Sequence, residues 1–461
     1  MNTVKIVSFL KQKLHNLIYD TRFSEILVGS VWSLGARVIA TILALVFNII
    51  VARYYGAQFV GIVAIINSFL MLVNLFTVLG TPTSILRLIP EQLARYSPTS
   101  AFKVYRKTQY MVICISLITA TIFFFSANLV SAKIFSKPHL SYYFALASLF
   151  IVFQSLMSLN TQAVRGLRLI KLFALMQLLP QSFNLLFLIT IGLLWPTNDI
   201  PVYAVLSGFT ITGVAGWFII EVVFKKRMRP DDNVCSLPGR TIIFISLPMF
   251  MTGIMAFIIA QSGVILLGMF LNEAEVGYYA IAVKVAGLTT FFLTAINSMA
   301  GPTFSELFYL DKVDELFHVA KKSAKLIFMI TTPILMCLIV FGKPLLVIIF
   351  GKEFAKAYPA LVLLVMGQFV NSISGSTGMF MDMTGNQNIL RNFMIIAACL
   401  SLVINLWLIP IWGINGAALA SMISTCFLNL SLLFFMKLKF GRTTGYFPFL
   451  NLDLSAFRIS K

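Results

Sequence analysis

Charged residues, and acidic ones above all, are scarce in this chain. Asp, Glu, Lys and Arg make up 11% of its 461 residues, and only 16 residues are acidic. Soluble domains carry roughly 25% charged residues, so this composition excludes a soluble globular protein. Hydrophobic residues make up 59% of the chain. The predicted fold class is therefore an all-α polytopic membrane protein.

Cysteine and histidine are also scarce: the chain has five cysteines and three histidines. They are spread along the chain without metal-ligand or disulfide spacing, and most of the cysteines lie in or beside apolar runs. This distribution excludes a disulfide framework and gives no candidate metal centre. We expect neither a metal nor another cofactor.

Long apolar runs fill most of the sequence. A membrane span needs about 20 predominantly apolar residues, and twelve runs meet this requirement. They cover approximately residues 27–51, 60–79, 109–130, 142–161, 173–194, 202–224, 244–270, 277–300, 326–349, 359–380, 393–410 and 414–436.

Lys and Arg are distributed unevenly between alternate connections. Of these 35 residues, 27 fall on the side of the N-terminus, 6 in the opposite loops and 2 inside apolar runs. Because cytoplasmic loops are enriched in Lys and Arg, this split predicts that both termini are cytoplasmic. The net charge of +19 thus reflects membrane topology, and we expect no nucleic-acid partner.

The two halves of the chain resemble one another. Val60-Gly61 aligns with Val276-Gly277, and GTPT (80–83) with AGPT (300–303), at an offset of about 218 residues. A repeat of six spans predicts two parallel lobes around a central cavity. The predicted divisions are a cytoplasmic amphipathic segment (1–25), an N-lobe (26–228), a C-lobe (229–436) and a cytoplasmic tail (437–461). No connection is long enough for a catalytic domain, so we expect no enzyme.

Two cations interrupt otherwise apolar runs: Arg37 in the first span and Lys284 in the eighth. Neither run contains a carboxylate. A charged side chain at the bilayer centre costs about 2.5–3.5 kcal/mol on insertion scales and normally faces a bundle interior or a wet cavity. Both residues fall near mid-membrane, one in each half. We therefore predict a cationic cavity that binds an anionic substrate.

Neutral polar residues recur at helical spacing in several spans. The predicted cavity lining consists of Ser33, Thr41, Asn48, Asn67, Asn74, Gln177, Gln181 and Gln368. Such residues also bond neighbouring helices together, so a purely structural role stays open for each. Carboxylates lie near the inner span ends, where Asp382 and Glu306 are the candidates for coupling transport to an ion gradient.

Several motifs resemble the polysaccharide biosynthesis transporters, the Wzx-type repeat-unit flippases of O-antigen and capsule. They are ARYYGAQFVGIVAI (52–65) and VLGTPTSILRLIPE (78–91) in the first half, and SLPMF (246–250), LLGMFLNEAEVGYYAIAVKVAG (266–287) and GPTFSEL (301–307) in the second. The wider superfamily, which includes multidrug extruders and lipid II flippases, shares these motifs. Many relatives carry an aspartate in the seventh span, where this chain has Gln261-Ser262-Gly263.

The resemblance implies two six-helix lobes in a V. It implies that the protein moves an undecaprenyl-diphosphate-linked oligosaccharide, the repeat unit of O-antigen, capsule or exopolysaccharide, from the inner to the outer leaflet by alternating access. The implied setting is the bacterial cytoplasmic (inner) membrane, with membrane lipids, a glycan polymerase and a chain-length regulator as partners. Two alternatives stay open. One is a multidrug or organic-cation antiporter of the same fold, which buried carboxylates would favour. The other is a membrane glycan polymerase, which a large external loop would favour.

Overall fold

The first half of the chain forms eight α-helices. The computed structural model describes residues 21–195, 197–228 and 237–446, with side chains from residue 32 onwards. The helices are α1 (Thr21–Tyr54), α2 (Gly56–Val78), α3 (Thr81–Arg95), α4 (Pro98–Leu129), α5 (Ser141–Leu149), α6 (Ile151–Gly166), α7 (Ile170–Leu194) and α8 (Ile200–Arg227). Most of the predicted amphipathic segment and the end of the predicted tail lie outside the described residues.

The second half forms seven α-helices. They are α9 (Gly239–Phe270), α10 (Glu273–Gly287), α11 (Thr290–Tyr309), α12 (Val313–Phe350), α13 (Tyr358–Ser374), α14 (Thr377–Met383) and α15 (Gln387–Phe440). The segments that the structure describes contain no β-strand, in agreement with the predicted all-α class.

Twelve membrane spans can be counted in the described parts of the chain, as the sequence predicts. Nine helices, α15 among them, are long and apolar enough to cross a membrane, and two bent pairs, α5–α6 and α10–α11, qualify together. With 54 residues at about 1.5 Å each, α15 is far too long for one bilayer core. Gly413 also leaves helical geometry in its middle, with φ 57° and ψ −131°. Helix α15 therefore forms two spans, which correspond to the predicted 393–410 and 414–436.

The helices of each half pack mainly on one another, which gives the predicted two lobes. In the first half, α8 lies against α6 and α7, and in the second half, α15 lies against α9 and α13. The main contact between the halves is made by α2 and α10.

The hydrophobic core shows that the lobes diverge toward one face. We call the face at which α1 begins the inner face and the opposite one the outer face, following the predicted orientation. Toward the outer face, a single cluster of buried side chains joins both lobes. Toward the inner face there are two separate clusters, one around Tyr105 and Phe224 and the other around Phe304 and Phe380. The two lobes therefore form a V that opens toward the inner face, except at the start of α9, where Ser246 contacts Ser84 and Ile242 belongs to the cluster around Tyr105.

Two glycines that the internal repeat makes equivalent meet between the lobes. A methyl group added to Gly61 would lie 1.7 Å from the carbonyl oxygen of Glu273, and one added to Gly277 would lie 2.2 Å from that of Ala57. The alignment that pairs Gly61 with Gly277 also pairs Ala57 with Glu273. Each glycine therefore contacts the residue that is equivalent to the partner of the other glycine, and the contact is reciprocal. Small residues allow helices in a membrane to approach this closely. The pseudo-twofold axis of the repeat therefore passes between α2 and α10.

Candidate functional site

A cavity of about 270 Å³ lies between the lobes and contains both predicted cations. Arg37 reaches it from α1 and Lys284 from α10. The residues that line it are Arg37, Thr41, Ala44, Leu45, Lys284, Gly287, Leu288, Thr290, Phe291 and Thr294. Apart from the two cations and three threonines, the wall is apolar, so the cations are the strongest polar groups that a ligand would meet there.

The ammonium of Lys284 donates a hydrogen bond across the lobes to Oδ1 of Asn48 on α1. The backbone carbonyl of Arg37 accepts a hydrogen bond of 2.8 Å from the Thr41 hydroxyl, and the guanidinium is exposed. None of the six ion pairs found within the described segments includes Arg37 or Lys284. The positive charge of the cavity is thus not paired with a carboxylate from that part of the chain.

The cavity wall contains a break in a membrane span. Helix α10 ends at Gly287, α11 begins at Thr290, and the two are bent by 42°. Interrupted spans near the midplane are typical of transporter binding sites. The predicted eighth span, 277–300, is therefore bent, and its bend lies where Gly287, Leu288 and Thr290 line the cavity. Phe291, which follows the break, also belongs to the wall.

Only some of the neutral residues predicted as lining come together at this cavity. Thr41 is part of the wall, and Asn48 borders it through Lys284. The other six are half-buried elsewhere: Ser33 on α1, Asn67 and Asn74 on α2, Gln177 and Gln181 on α7, and Gln368 on α13. Two of these six make local contacts, Asn67 with Met71 and Gln368 with Asn371. A role for the six in a wider cleft stays a prediction.

The two carboxylates predicted for coupling lie outside the cavity wall. Asp382 is on the short helix α14 and Glu306 is on α11, and both are exposed toward the inner face. Partial burial raises the pKa of the Asp382 carboxyl above its ordinary value. Their role in coupling stays a prediction.

An ion cluster that the sequence did not reveal joins the lobes at the outer face. Glu273, at the start of α10, lies 3.4 Å from the ammonium of Lys137 and 2.9 Å from Nε2 of His139. Both partners belong to the connection between α4 and α5, in the other lobe. Burial lowers the pKa of Lys137, and the nearby Glu273 opposes this effect. This cluster therefore links the two lobes at the outer face.

Arg53 joins the lobes at a second point of the outer face. Its guanidinium donates to the carbonyls of Ile348 and Ile349 in the last turn of α12, and the Nε bond to Ile349 measures 3.0 Å. Terminal carbonyls have no partner within their helix, and a cation is favourable at a helix C-terminus. The sequence assigned Arg53 only a place in an outer loop. Its long-range partner could not be read from spacing.

Gln261 is a further residue that sequence reasoning left without a role. Its Oε1 accepts a hydrogen bond of 2.9 Å from the hydroxyl of Ser68, which is buried on α2 in the other lobe. A signal was present in the sequence, because the resemblance places an aspartate of many relatives in the neighbourhood of Gln261-Ser262-Gly263. A neutral amide at this position joins the lobes without adding a negative charge.

Solved structures share this architecture. The chain superposes on the lipid II flippase MurJ in an inward closed conformation with a TM-score of 0.71 and 16% identity, over 89% of this chain and 87% of that one. An inward-facing multidrug resistance MATE family transporter of the MOP superfamily gives a TM-score of 0.69 and 14% identity, over 89% of this chain and 98% of that one. At such identities the likeness shows the fold alone.

Curated relatives include glycan flippases from Haloferax volcanii. The probable low-salt glycan biosynthesis flippase Agl15 is 24% identical over 223 residues, 48% of this chain and 46% of that protein. The probable flippase AglR is 26% identical over 163 residues, 35% of this chain and 34% of that protein. The chain thus matches less than half of the length of either relative.

A family model covers a larger part of the chain. The model described as polysaccharide biosynthesis protein matches residues 50–359, which is more than half of the sequence. This range contains the ion cluster at the outer face, the reciprocal glycine contact and Lys284. The chain belongs to the polysaccharide biosynthesis protein family.

Proposed function

We propose that the protein translocates an anionic, lipid-linked oligosaccharide across the membrane by alternating access, with Arg37 and Lys284 binding the diphosphate of the substrate. One observation carries this proposal. Two cations from opposite lobes share a cavity, and neither forms an ion pair within the described segments. Arginine offers a planar fork to phosphate oxygens and lysine a compact charge, so together they suit a diphosphate. The family and the flippase relatives support the same reading.

The size of the cavity fits the charged part of such a substrate. Pockets for drug-sized ligands measure about 300–1,000 Å³, and this one measures about 270 Å³. It would hold a diphosphate and little more. The sugars would then extend into the cleft between the diverging lobes, and the lipid would stay in the bilayer.

We further propose undecaprenyl diphosphate as the carrier and an O-antigen, capsule or exopolysaccharide unit as the cargo. The setting would be the bacterial cytoplasmic membrane, with both termini cytoplasmic and with a glycan polymerase and a chain-length regulator as partners. The split of 27 against 6 basic residues supports the orientation. The motifs quoted above support the choice of carrier.

An antiporter of organic cations has the same fold but a less suitable cavity here. A cationic drug placed 4 Å from one of the two cations would be repelled by about 4 kcal/mol at an effective dielectric constant of 20. The fold neighbours include a multidrug transporter. The charge of this cavity nevertheless favours an anion.

The proposal is tested by removing each cation and measuring both surface glycan and the amount of protein in the membrane. Arg37→Ala and Lys284→Ala should each reduce glycan display at least tenfold, because one lost charge-assisted bond corresponds to about 1.4 kcal/mol or more. Arg37→Lys should retain part of the activity, and Lys284→Glu should be worse than alanine. Lys171→Ala, which removes an exposed cation at the inner face, is the matched control.

Two outcomes would contradict the proposal. If the alanine variants lose protein from the membrane in proportion to glycan, the cations only hold helices together. Full glycan display by the double variant Arg37→Ala/Lys284→Ala would exclude any role of the two cations in transport.

A further inference from the structure

Asn48 is the residue that holds Lys284 in this structure. Its side chain is only 5% exposed, and its Nδ2 donates to the carbonyl of Ala44 one turn earlier in α1. The amide orientation is therefore fixed, because the opposite orientation would place an NH₂ group against the ammonium. Oδ1 is left to accept from Lys284, across the boundary between the lobes.

We propose that Asn48 is a positioning residue that holds the Lys284 ammonium while the cavity is empty and releases it to the phosphate of the substrate. The proposal rests on the proposed function, since it assumes that Lys284 binds the diphosphate. Binding would then break a bond between the lobes at the same moment as it fills the cavity. Asn48 thus connects occupancy of the site to separation of the lobes.

The spacing along α1 favours a movement of Lys284. Asn48 is eleven residues from Arg37, which corresponds to roughly 16 Å between their backbones along a helix. A diphosphate is much shorter than this distance, so the two cations bind it together most easily when the ammonium leaves Asn48 and turns toward Arg37, in the direction of the inner face.

The exchange is favourable because the two acceptors differ in charge. Asn48 offers Lys284 a neutral carbonyl oxygen, and a phosphate offers charged oxygens. Both bonds are charge-assisted through the ammonium, but only the phosphate also carries a negative charge. The attraction between two opposite unit charges 4 Å apart amounts to about 4 kcal/mol at an effective dielectric constant of 20. The amide thus satisfies the ammonium in the empty cavity without competing strongly against the substrate.

Release of Lys284 moves the tie between α1 and α10 toward the inner face, because the diphosphate then joins Lys284 to Arg37 and no longer to Asn48. The bond of Arg53 to the end of α12 joins the same helix α1 to the C-lobe nearer the outer face. A ligand shifts a conformational equilibrium only by binding one state better than the other. The closed state must give up the Asn48–Lys284 bond when it binds diphosphate, whereas a state with the outer ends of α1 and α10 apart has no such bond to lose.

The test measures the distance between α1 and α12 at the outer face and the affinity of the protein for diphosphate. Spin labels at Tyr54 and Ile348, which are 82% and 69% exposed, report the separation of α1 and α12 at the outer face; we call them the outer reporter pair. They are introduced after replacement of the native cysteines. Inorganic diphosphate is the probe, and its affinity is measured on the purified full chain for wild type and each variant.

Asn48→Ala should lengthen the distance between the outer reporter pair without diphosphate and should bind diphosphate about tenfold more tightly. A tenfold change equals about 1.4 kcal/mol. Asn48→Asp, which offers Lys284 a carboxylate, should keep the distance short with or without diphosphate and should bind it at least tenfold more weakly. Asn429→Asp is the matched control, because Asn429 makes the same bond to a carbonyl one turn earlier, at Thr425, within α15.

The outcomes separate this inference from the proposed function. If wild type binds diphosphate and Arg37→Ala weakens binding, but both Asn48 variants match wild type in distance and affinity, only the role of Asn48 is wrong. If the alanine and aspartate variants shift both quantities in the same direction, Asn48 merely packs, and the inference is again wrong. If wild type does not bind diphosphate, the proposed function fails and the inference fails with it.

Discussion

Gly61→Ala is the substitution whose effect can be worked out most directly from the structure. The added methyl carbon would lie 1.7 Å from the carbonyl oxygen of Glu273. A carbon and a carbonyl oxygen normally approach no closer than ~3.3 Å. The backbones of α2 and α10 would therefore have to separate by roughly 1.5 Å. The methyl group clashes with backbone, which cannot move aside as a flexible side chain could.

In the proposed alternating-access mechanism, opening of the outer face separates α2 from α10, so the clash would destabilise the closed conformation and not the open one. Overpacking of a tight contact costs about 1–3 kcal/mol, and opening of the outer face relieves it. A difference of this size shifts an equilibrium by about 5- to 150-fold. Without any ligand, Gly61→Ala should therefore increase the long-distance population of the outer reporter pair by a factor in this range.

The pseudo-symmetry of the contact provides an internal check. Gly277→Ala places its methyl group 2.2 Å from the carbonyl oxygen of Ala57 and should shift the distances in the same direction. The effects of the two substitutions on the outer reporter pair should not add in the double variant, because one separation of α2 and α10 relieves both clashes. Gly35→Ala is the control, since no atom lies within 4 Å of its added methyl group. Wild-type distances in both single variants would refute the assignment of this contact to an outer gate.

Two further predictions concern carboxylates. Glu273→Gln leaves the ammonium of Lys137 beside a neutral amide in a buried place, so the outer reporter pair should move apart. Glu275→Gln is the control. Equal distances in both variants would contradict a role of Glu273 in closing the outer face. Asp382→Asn removes a carboxyl whose pKa burial raises. Ionisation of that carboxyl destabilises the folded protein at pH values above the ordinary aspartate pKa of about 3.9. Below this pH the carboxyl is protonated in both the folded and the unfolded chain, so the effect disappears. The variant should therefore unfold at a higher temperature than wild type at neutral pH, with the difference shrinking toward pH 4, and equal unfolding temperatures at neutral pH would contradict this.

The number of spans and the position of the two cations could be predicted because each depends on local sequence. An apolar run of sufficient length must cross the bilayer, and a cation in such a run must avoid lipid. Arg37 and Lys284 line one cavity, and their role in binding a substrate stays a prediction. The glycines of the repeat were also visible in the sequence. Their direct contact was not, because an internal alignment shows equivalence and not proximity.

The neighbours of each polar residue could not be predicted. Helical spacing shows which residues share a face, but not which helix that face meets. Gln177 and Gln181 recur at helical spacing, as Thr41 and Asn48 do, but lie outside the wall of this cavity. Asn48 was predicted from this spacing, yet its particular partner, Lys284, lies 236 residues away. The bend between α10 and α11 also went unseen, because no proline stands at the break itself, Leu288-Thr289.

In the proposed mechanism, the bonds that close the outer half of the protein must be weak for a substrate to open it. To invert a population ratio from 1:99 to 99:1, a ligand must favour one state by about 5.5 kcal/mol. Charge-assisted hydrogen bonds from two cations supply about 1.5–3 kcal/mol each, so a diphosphate approaches this value only if little opposes it. Two contacts between the lobes meet this condition, because Asn48 and Gln261 both make them through neutral amides. A carboxylate in place of Asn48 would strengthen the closed state by an ion pair with Lys284, and it would oppose the substrate by about as much as one of the two cations contributes. A cavity with cations and neutral amides therefore suits the proposed mechanism, in which an anion must be released after it has bound.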